Sequence, residues 1–104
     1  MTFSLNLEPI AKATLQQLAD KLELQTDLEV ELQGTQLTIC DDLQQTFLLN
    51  FHSPTNQLWL SSPLTGAHHF ILNNGAWIST RSQTSLTEIL SSDICQLFKD
   101  SVNL

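Results

Sequence analysis

The sequence predicts an α+β fold: a two-layer sandwich with N- and C-terminal helices packed on one face of a roughly six-stranded antiparallel sheet. Apolar residues recur at three- and four-residue spacing near both ends of the 104-residue chain. Short stretches of alternating polarity, separated by turn signals, fill the middle. Two helices that flank such a meander pack most simply side by side, which leaves the other sheet face bare. We expect a single domain over residues 1–104.

The first helix is predicted over about residues 7–24 by an apolar stripe that would face the core. The stripe consists of Leu7, Ile10, Ala11, Thr14, Leu15, Leu18 and Leu22. Either Asn6 or Ser4 can cap the helix N-terminus through a side-chain oxygen. Pro9 is compatible with the helix because it falls in the first turn, where no backbone donor is needed.

Six strands and a second helix are predicted next along the chain. The strands are expected at about residues 28–32, 37–40, 46–51, 57–61, 68–72 and 76–79. Asn74 and Gly75 supply a strong hairpin turn between the last two strands. The run from Ser85 to Glu88 has the form of a capping box and opens a helix that continues to about Phe98. Its expected core stripe is Leu86, Ile89, Leu90, Ile94 and Leu97.

Strand alternation places one tryptophan outside the core and the other inside it. Leu58 and Leu60 must face the core, so Trp59 between them points to the bare face, whereas Trp77 is expected in the core. The bare face is expected to carry Thr46, Leu48, Asn50, Gln57, Trp59 and Ser61. An outward tryptophan among polar groups is typical of an interface hot spot, although it could also lie flat on its neighbours and merely stiffen the sheet.

His68 and His69 follow each other in one strand, so they point to opposite faces and cannot chelate one ion together. One of the two is expected beside Trp59 on the bare face. The sequence contains no G-x-S-x-G, no H-E-x-x-H and no phosphate-binding loop. Its two cysteines are far apart and match no zinc or disulfide pattern. We therefore predict no catalytic residues and no enzyme activity.

Acidic residues dominate one part of the chain, and the formal net charge is −7. This charge argues against nucleic acid and anionic membranes as partners. The first helix and the following segments concentrate the carboxylates Asp20, Glu23, Asp27, Glu29, Glu31, Asp41 and Asp42. Alternate strand residues lie about 6.5–7 Å apart on one face, so Asp27, Glu29 and Glu31 would repel one another unless a cation intervened. The segment is either a solubilising surface or a site for cations or a basic partner.

Three stretches resemble the frataxin family, including its bacterial members. They are NQLWLSSPLTGAHHF at residues 56–70, NGAW at residues 74–77 and SLTEIL at residues 85–90. The resemblance implies an iron-binding protein that docks on the cysteine desulfurase and scaffold complex of iron–sulfur cluster assembly, where it tunes sulfur transfer or helps to supply iron. It implies partner contacts at Asn50, Gln57, Trp59, His69 and Arg81. It implies an acidic metal-binding ridge at Asp20, Glu23, Asp27 and Glu29, which Glu31 extends by strand alternation.

This sequence departs from the family at the start of the acidic ridge, where relatives usually have carboxylates. Lys12, Ala13 and Gln16 stand there instead. Exposed carboxylates without imidazole or thiolate ligands would bind Fe²⁺ or Fe³⁺ weakly at the surface. Two alternatives remain: a metal-independent regulator of the desulfurase, and a ferroxidase or iron-storage protein. We expect a monomer that can form iron-driven oligomers, located in the bacterial cytoplasm or, alternatively, in the mitochondrial matrix.

Overall fold

The computed structural model describes residues 6–104, in which two helices pack on one antiparallel sheet of six strands. Helix α1 spans Glu8–Gln25 and helix α2 spans Leu86–Phe98. The strands are β1 Glu29–Gln33, β2 Gln36–Cys40, β3 Thr46–His52, β4 Gln57–Ser62, β5 Gly66–Asn73 and β6 Ala76–Ser79. Their order in the sheet is their order in the chain. The predicted two-layer architecture is confirmed.

Helix α1 buries a narrower stripe than the sequence predicts. Ala11, Leu15, Leu18, Ala19 and Leu22 are buried, whereas Ile10, predicted in the core, is 47% exposed. At about 100° per residue, Ile10 lies roughly 125° from the centre of the buried stripe, beyond the contact with the sheet. Pro9 falls in the first turn, as predicted.

The N-terminal end of α1 is only partly as predicted. The N-cap is Leu7, which makes no side-chain cap, and Asn6 just before it accepts a hydrogen bond from the Glu8 backbone N–H at 3.0 Å. The alternative cap, Ser4, lies outside the described residues. Asn6 therefore satisfies one of the free N–H groups of the first turn from one position earlier than a standard cap.

Helix α2 begins at the predicted cap. The Ser85 hydroxyl accepts a hydrogen bond from the Glu88 backbone N–H at 3.3 Å, and the helix ends where Lys99 adopts a left-handed conformation with φ 62°. Leu86, Leu90 and Ile94 are buried, while the predicted Ile89 and Leu97 pack against the core from half-buried positions. Asp93 is also buried, which the apolar stripe did not predict.

The core lies between the helices and the inward face of the sheet. Its largest fully buried side chains include Phe47 and Phe70. Trp77 is buried as predicted, and its indole N–H donates to the Thr14 hydroxyl at 3.0 Å, which ties β6 to α1. Strand β5 is longer than predicted because its pairing with β4 continues to Gly66. No helix within residues 6–104 is both long and apolar enough to cross a membrane.

Candidate functional site

The bare sheet face carries a stack of three aromatic rings. The Trp59 indole lies between the imidazoles of His52 and His69, with ring centroids 3.8 Å and 4.4 Å away and interplanar angles of 15° and 13°. Trp59 and His69 are direct partners in the β4–β5 register, whereas His52 on β3 sits diagonal to Trp59. Direct and diagonal neighbours on one face are within reach of aromatic side chains. We call these three residues the indole stack.

Two polar side chains fix the orientation of the stack. The Trp59 indole N–H donates to the Gln57 side-chain carbonyl at 2.8 Å. The His52 Nδ1 and the Thr55 hydroxyl are 2.9 Å apart, within hydrogen-bonding distance. The indole plane is therefore held from both sides and at its edge, so Trp59 is half-buried and keeps one defined orientation.

A shallow groove of about 210 Å³ runs beside the indole stack. It is lined by Leu48, Asn50, Trp59, Leu60, Ser61, Ala67 and His69. Leu48 is 37% exposed, and Ile71, on the same face of β5, is 43% exposed. An apolar patch bordered by amide and imidazole groups is the composition of a protein-docking surface.

The structure brings together four of the five residues predicted to contact a partner: Asn50, Gln57, Trp59 and His69 share the bare face. Arg81 follows β6, and its guanidinium lies 3.2 Å from the Nδ1 of His68, the histidine on the opposite face of β5. His69 is thus the histidine beside Trp59. Burial first, and then Arg81, lower the pKa of His68, while Asp93 opposes this shift.

His52 belongs to the stack, although the third strand is predicted to end one residue before it. The sequence does contain a signal for the position of His52. His52 lies two residues after Asn50 and four after Leu48, so extending β3 by one residue places its side chain on the bare face with theirs. The predicted strand ended at residue 51 because Pro54 follows closely. The structure continues β3 to His52, which pairs with Gln57.

The predicted metal-binding carboxylates are all exposed but lie on different surfaces. Asp20 and Glu23 lie on the outer face of α1, and Glu29 and Glu31 lie on the bare face of β1, at the edge of the sheet. Asp27 instead lines an open groove of about 370 Å³. The other acidic residues of that groove are Asp41, Asp42 and Asp100.

The acidic side chains make few organised contacts with one another. Asp20 accepts from the Gln16 amide at 2.9 Å, and Glu31 accepts from the Gln33 amide at the same distance. Within residues 6–104 no three His, Cys, Asp or Glu side chains are grouped closely enough to hold a metal ion. We call the separated carboxylates of Asp20, Glu23, Asp27, Glu29 and Glu31 the dispersed acidic edge. Any cation bound there would retain most of its water.

Comparison with known proteins identifies the family. The profile of the frataxin-like domain matches residues 6–100. The iron-sulfur cluster assembly protein CyaY of Psychromonas ingrahamii is 30% identical over 95 residues, which cover 90% of each chain. The mitochondrial frataxin homolog of Saccharomyces cerevisiae is 39% identical over 66 residues, which cover 64% of this chain but only 38% of that protein.

Solved structures of the same family share the fold. Frataxin from Psychromonas ingrahamii superposes with a TM-score of 0.87 at 28% identity, covering 93% of this chain and 92% of that one. Trimeric yeast frataxin complexed with ferrous iron gives a TM-score of 0.68 at 31% identity, covering 92% and 88%. By sequence profile, relatives and fold together, the chain belongs to the frataxin-like family.

Proposed function

We propose that this protein is an iron-binding accessory factor of iron–sulfur cluster assembly. In this role it docks through its bare sheet face on the cysteine desulfurase and scaffold complex and regulates sulfur transfer or iron delivery. The observation that carries the proposal is the indole stack: an oriented, half-buried tryptophan beside an apolar groove on a bare face. The name of the Psychromonas ingrahamii relative, an iron-sulfur cluster assembly protein, supports the same pathway.

Iron would bind at the dispersed acidic edge. Asp20, Glu23, Asp27, Glu29 and Glu31 offer carboxylate oxygens, which Fe²⁺ accepts, and the iron complex of yeast frataxin supports the ion's identity. Separated, hydrated carboxylates hold such an ion weakly and release it readily. We propose a binding and regulatory role without enzyme activity, because a ferroxidase would require a preformed two-iron site.

A metal-independent regulator of the desulfurase is the second candidate. It is favoured by the dispersed arrangement of the carboxylates and by the outer face of α1, where Lys12 and Gln16 stand in the N-terminal half. The two candidates share the docking face and differ only in whether iron changes the docking.

We also propose that the protein works as a monomer that associates when iron is bound. The proposed compartment is the bacterial cytoplasm, with the mitochondrial matrix as the alternative. The first is supported by the match along 90% of the CyaY protein, and the second by the yeast and fly relatives, which are named as mitochondrial.

A pull-down with the cysteine desulfurase, with and without Fe²⁺, tests the proposal. Trp59→Ala should weaken the interaction tenfold or more, since truncating a hot-spot residue costs about 2 kcal/mol or more. Leu24→Ala is the matched control, because Leu24 is an exposed apolar residue of α1, in the other layer. Circular dichroism should show the same fold in both variants.

Unchanged binding by Trp59→Ala, or loss of its cooperative unfolding, would contradict the assignment of the docking face. The double variant Asp27→Asn, Glu29→Gln separates the two candidates. If Fe²⁺ strengthens the wild-type interaction and this variant loses the effect, iron takes part. Normal docking by the variant at every iron concentration would favour the metal-independent regulator.

A further inference from the structure

A polar cluster with a buried centre and two exposed members, Thr65 and Arg81, lies beneath the turn between β4 and β5, on the helix side of the sheet. It contains Ser62, Thr65, His68, Arg81 and Asp93, which we call the His68 cluster. His68 is only 6% exposed and Asp93 only 3%. The five residues come from β4, the following turn, β5, the segment after β6, and α2. The cluster therefore connects the β4–β5 hairpin with the segment after β6 and with α2.

The hydrogen bonds of the cluster determine where its protons lie. The Ser62 hydroxyl accepts from the backbone N–H groups of Leu64 and Thr65, at 3.1 and 3.2 Å, and donates its own proton to Asp93 at 2.7 Å. The Thr65 hydroxyl also donates to Asp93. A hydroxyl has one proton, so the Thr65 oxygen can only accept from His68 Nε2, which lies 2.7 Å away.

This assignment makes His68 a neutral imidazole with its proton on Nε2. Its Nδ1 then carries a lone pair and accepts from the Arg81 guanidinium at 3.2 Å. A second proton on Nδ1 would remove this acceptor and set a cation against the guanidinium. The charged groups that face His68 are Arg81, from the segment after β6, and Asp93, from α2. Burial and Arg81 lower the pKa of His68, and Asp93 only partly opposes them.

We propose that the His68 cluster is a proton-operated latch: neutral His68 fastens the segment after β6 to β5 and α2, and protonation of His68 releases Arg81. The fastened segment supports the docking face from behind. The Thr80 backbone N–H donates to the His69 carbonyl at 2.9 Å, and His69 carries one of the rings stacked on Trp59. The Ser79 hydroxyl accepts from the backbone N–H groups of Arg81 and Ser82, two and three residues later, at 3.1 and 3.2 Å. The latch is formed by contacts within the chain, so it does not require that the bare face bind the proposed partner.

The lowered pKa of His68 determines how the stability of the fold changes with pH. Above the ordinary histidine pKa of about 6.5, His68 is neutral in the folded and the unfolded chain, and the latch contributes fully. As the pH falls below that value, the unfolded chain takes up the proton first, so stability is lost until the lower pKa of the folded state is reached. One proton changes the folding equilibrium by at most about tenfold per pH unit.

Urea unfolding between pH 8 and pH 5 tests the latch. Wild type should lose stability as the pH falls below about 6.5. His68→Gln keeps one donor and one acceptor but does not titrate in this range, so its unfolding equilibrium should lose this part of the pH dependence. His69→Gln is the matched control, because it removes the neighbouring imidazole on the other face and should retain the wild-type loss. The same pH dependence in His68→Gln and wild type would overturn the proposal.

Two measurements keep the test decisive even where His68→Gln fails to fold. Two-bond ¹H–¹⁵N spectra of wild type at pH 8 should show the Nε2-protonated tautomer of His68, and the Nδ1-protonated tautomer would refute the latch.

Arg81→Gln changes an exposed residue and removes the nearby cation. The pKa of His68 should rise towards its ordinary value in that variant, so its stability should fall less between pH 7.5 and 5.5 than that of wild type. An unchanged pH profile would also refute the latch.

Discussion

At the scale of single residues, the side chains around Trp59 set the orientation of its ring. An isolated surface indole would rotate freely and lose conformational entropy on binding. Here two imidazoles lie parallel to the ring and Gln57 holds its N–H, so much of that ordering is complete before any partner arrives. This stacked arrangement is compatible with both alternatives for Trp59, an interface hot spot and a residue that stiffens the sheet.

His52→Ala should remove one side of the stack and free the indole. An aromatic pair contributes about 0.5–1.5 kcal/mol beyond its buried area, and we expect a loss of stability in that range. ¹⁵N relaxation of the Trp59 indole N–H should show a lower order parameter, while that of the buried Trp77 stays the same. Ser53→Ala, at the exposed neighbouring position, is the control. Unaltered Trp59 dynamics in His52→Ala would mean that the stack does not orient the ring.

At the scale of elements, the last turn of α1 is held by the segment that follows α2. The Gln25 side chain accepts from the Asn103 backbone N–H at 2.7 Å and donates to the Asn103 carbonyl at 3.0 Å. Val102 and Leu104 on either side pack against the core. One glutamine thereby imitates the paired hydrogen bonds of a strand and ties the segment to the helix.

Gln25→Ala should destabilise the protein by about 1 kcal/mol, because two exposed hydrogen bonds of modest net value are lost. Gln17→Ala, at another exposed position of α1, controls for the change in helix propensity. Urea unfolding gives the free energies of unfolding, and hydrogen exchange of the Asn103 amide should accelerate only in Gln25→Ala. Equal stability of the two variants would show that packing alone holds the segment.

At the scale of the whole molecule, most of the net charge of −7 lies between Asp20 and Asp42, a stretch with seven acidic residues and one basic residue, Lys21. Exposed charges interact over roughly the Debye length, about 8 Å at physiological ionic strength. The dispersed acidic edge therefore attracts cations as a field more than it ligates one ion. This property fits weak binding with little discrimination between hard divalent metals.

We expect Fe²⁺ to bind in the micromolar range or more weakly, and Ca²⁺ or Mn²⁺ to compete with it, because carboxylates alone select poorly among these ions. An NMR titration under anaerobic conditions should shift or broaden the resonances of Asp20, Glu23, Asp27 and Glu29. Higher salt should reduce the effect. The absence of any change at these four residues would rule out the acidic edge as the iron site.

Local patterns in the sequence predicted most of the fold, because they depend on neighbours in the chain. Strand periodicity assigned Trp59 and Trp77 to opposite sides, and the capping box located the start of α2. Long-range contacts were not predictable in this way. Asp93 is buried because Ser62 and Thr65, 31 and 28 residues earlier, satisfy its carboxylate. The grouping of four predicted contact residues was foreseeable, whereas the position of Arg81 required the path of the chain after β6.

The strand order β1 to β6, identical in the sheet and in the chain, also bears on how the molecule assembles. Every strand pairs with its immediate predecessor across a short turn, so each pairing closes a small loop at low entropic cost. The sheet can therefore grow in the direction of synthesis, one hairpin at a time. The hydrogen bonds between Gln25 and Asn103, 78 residues apart, instead close a loop much longer than that of any strand pairing, at a higher entropic cost.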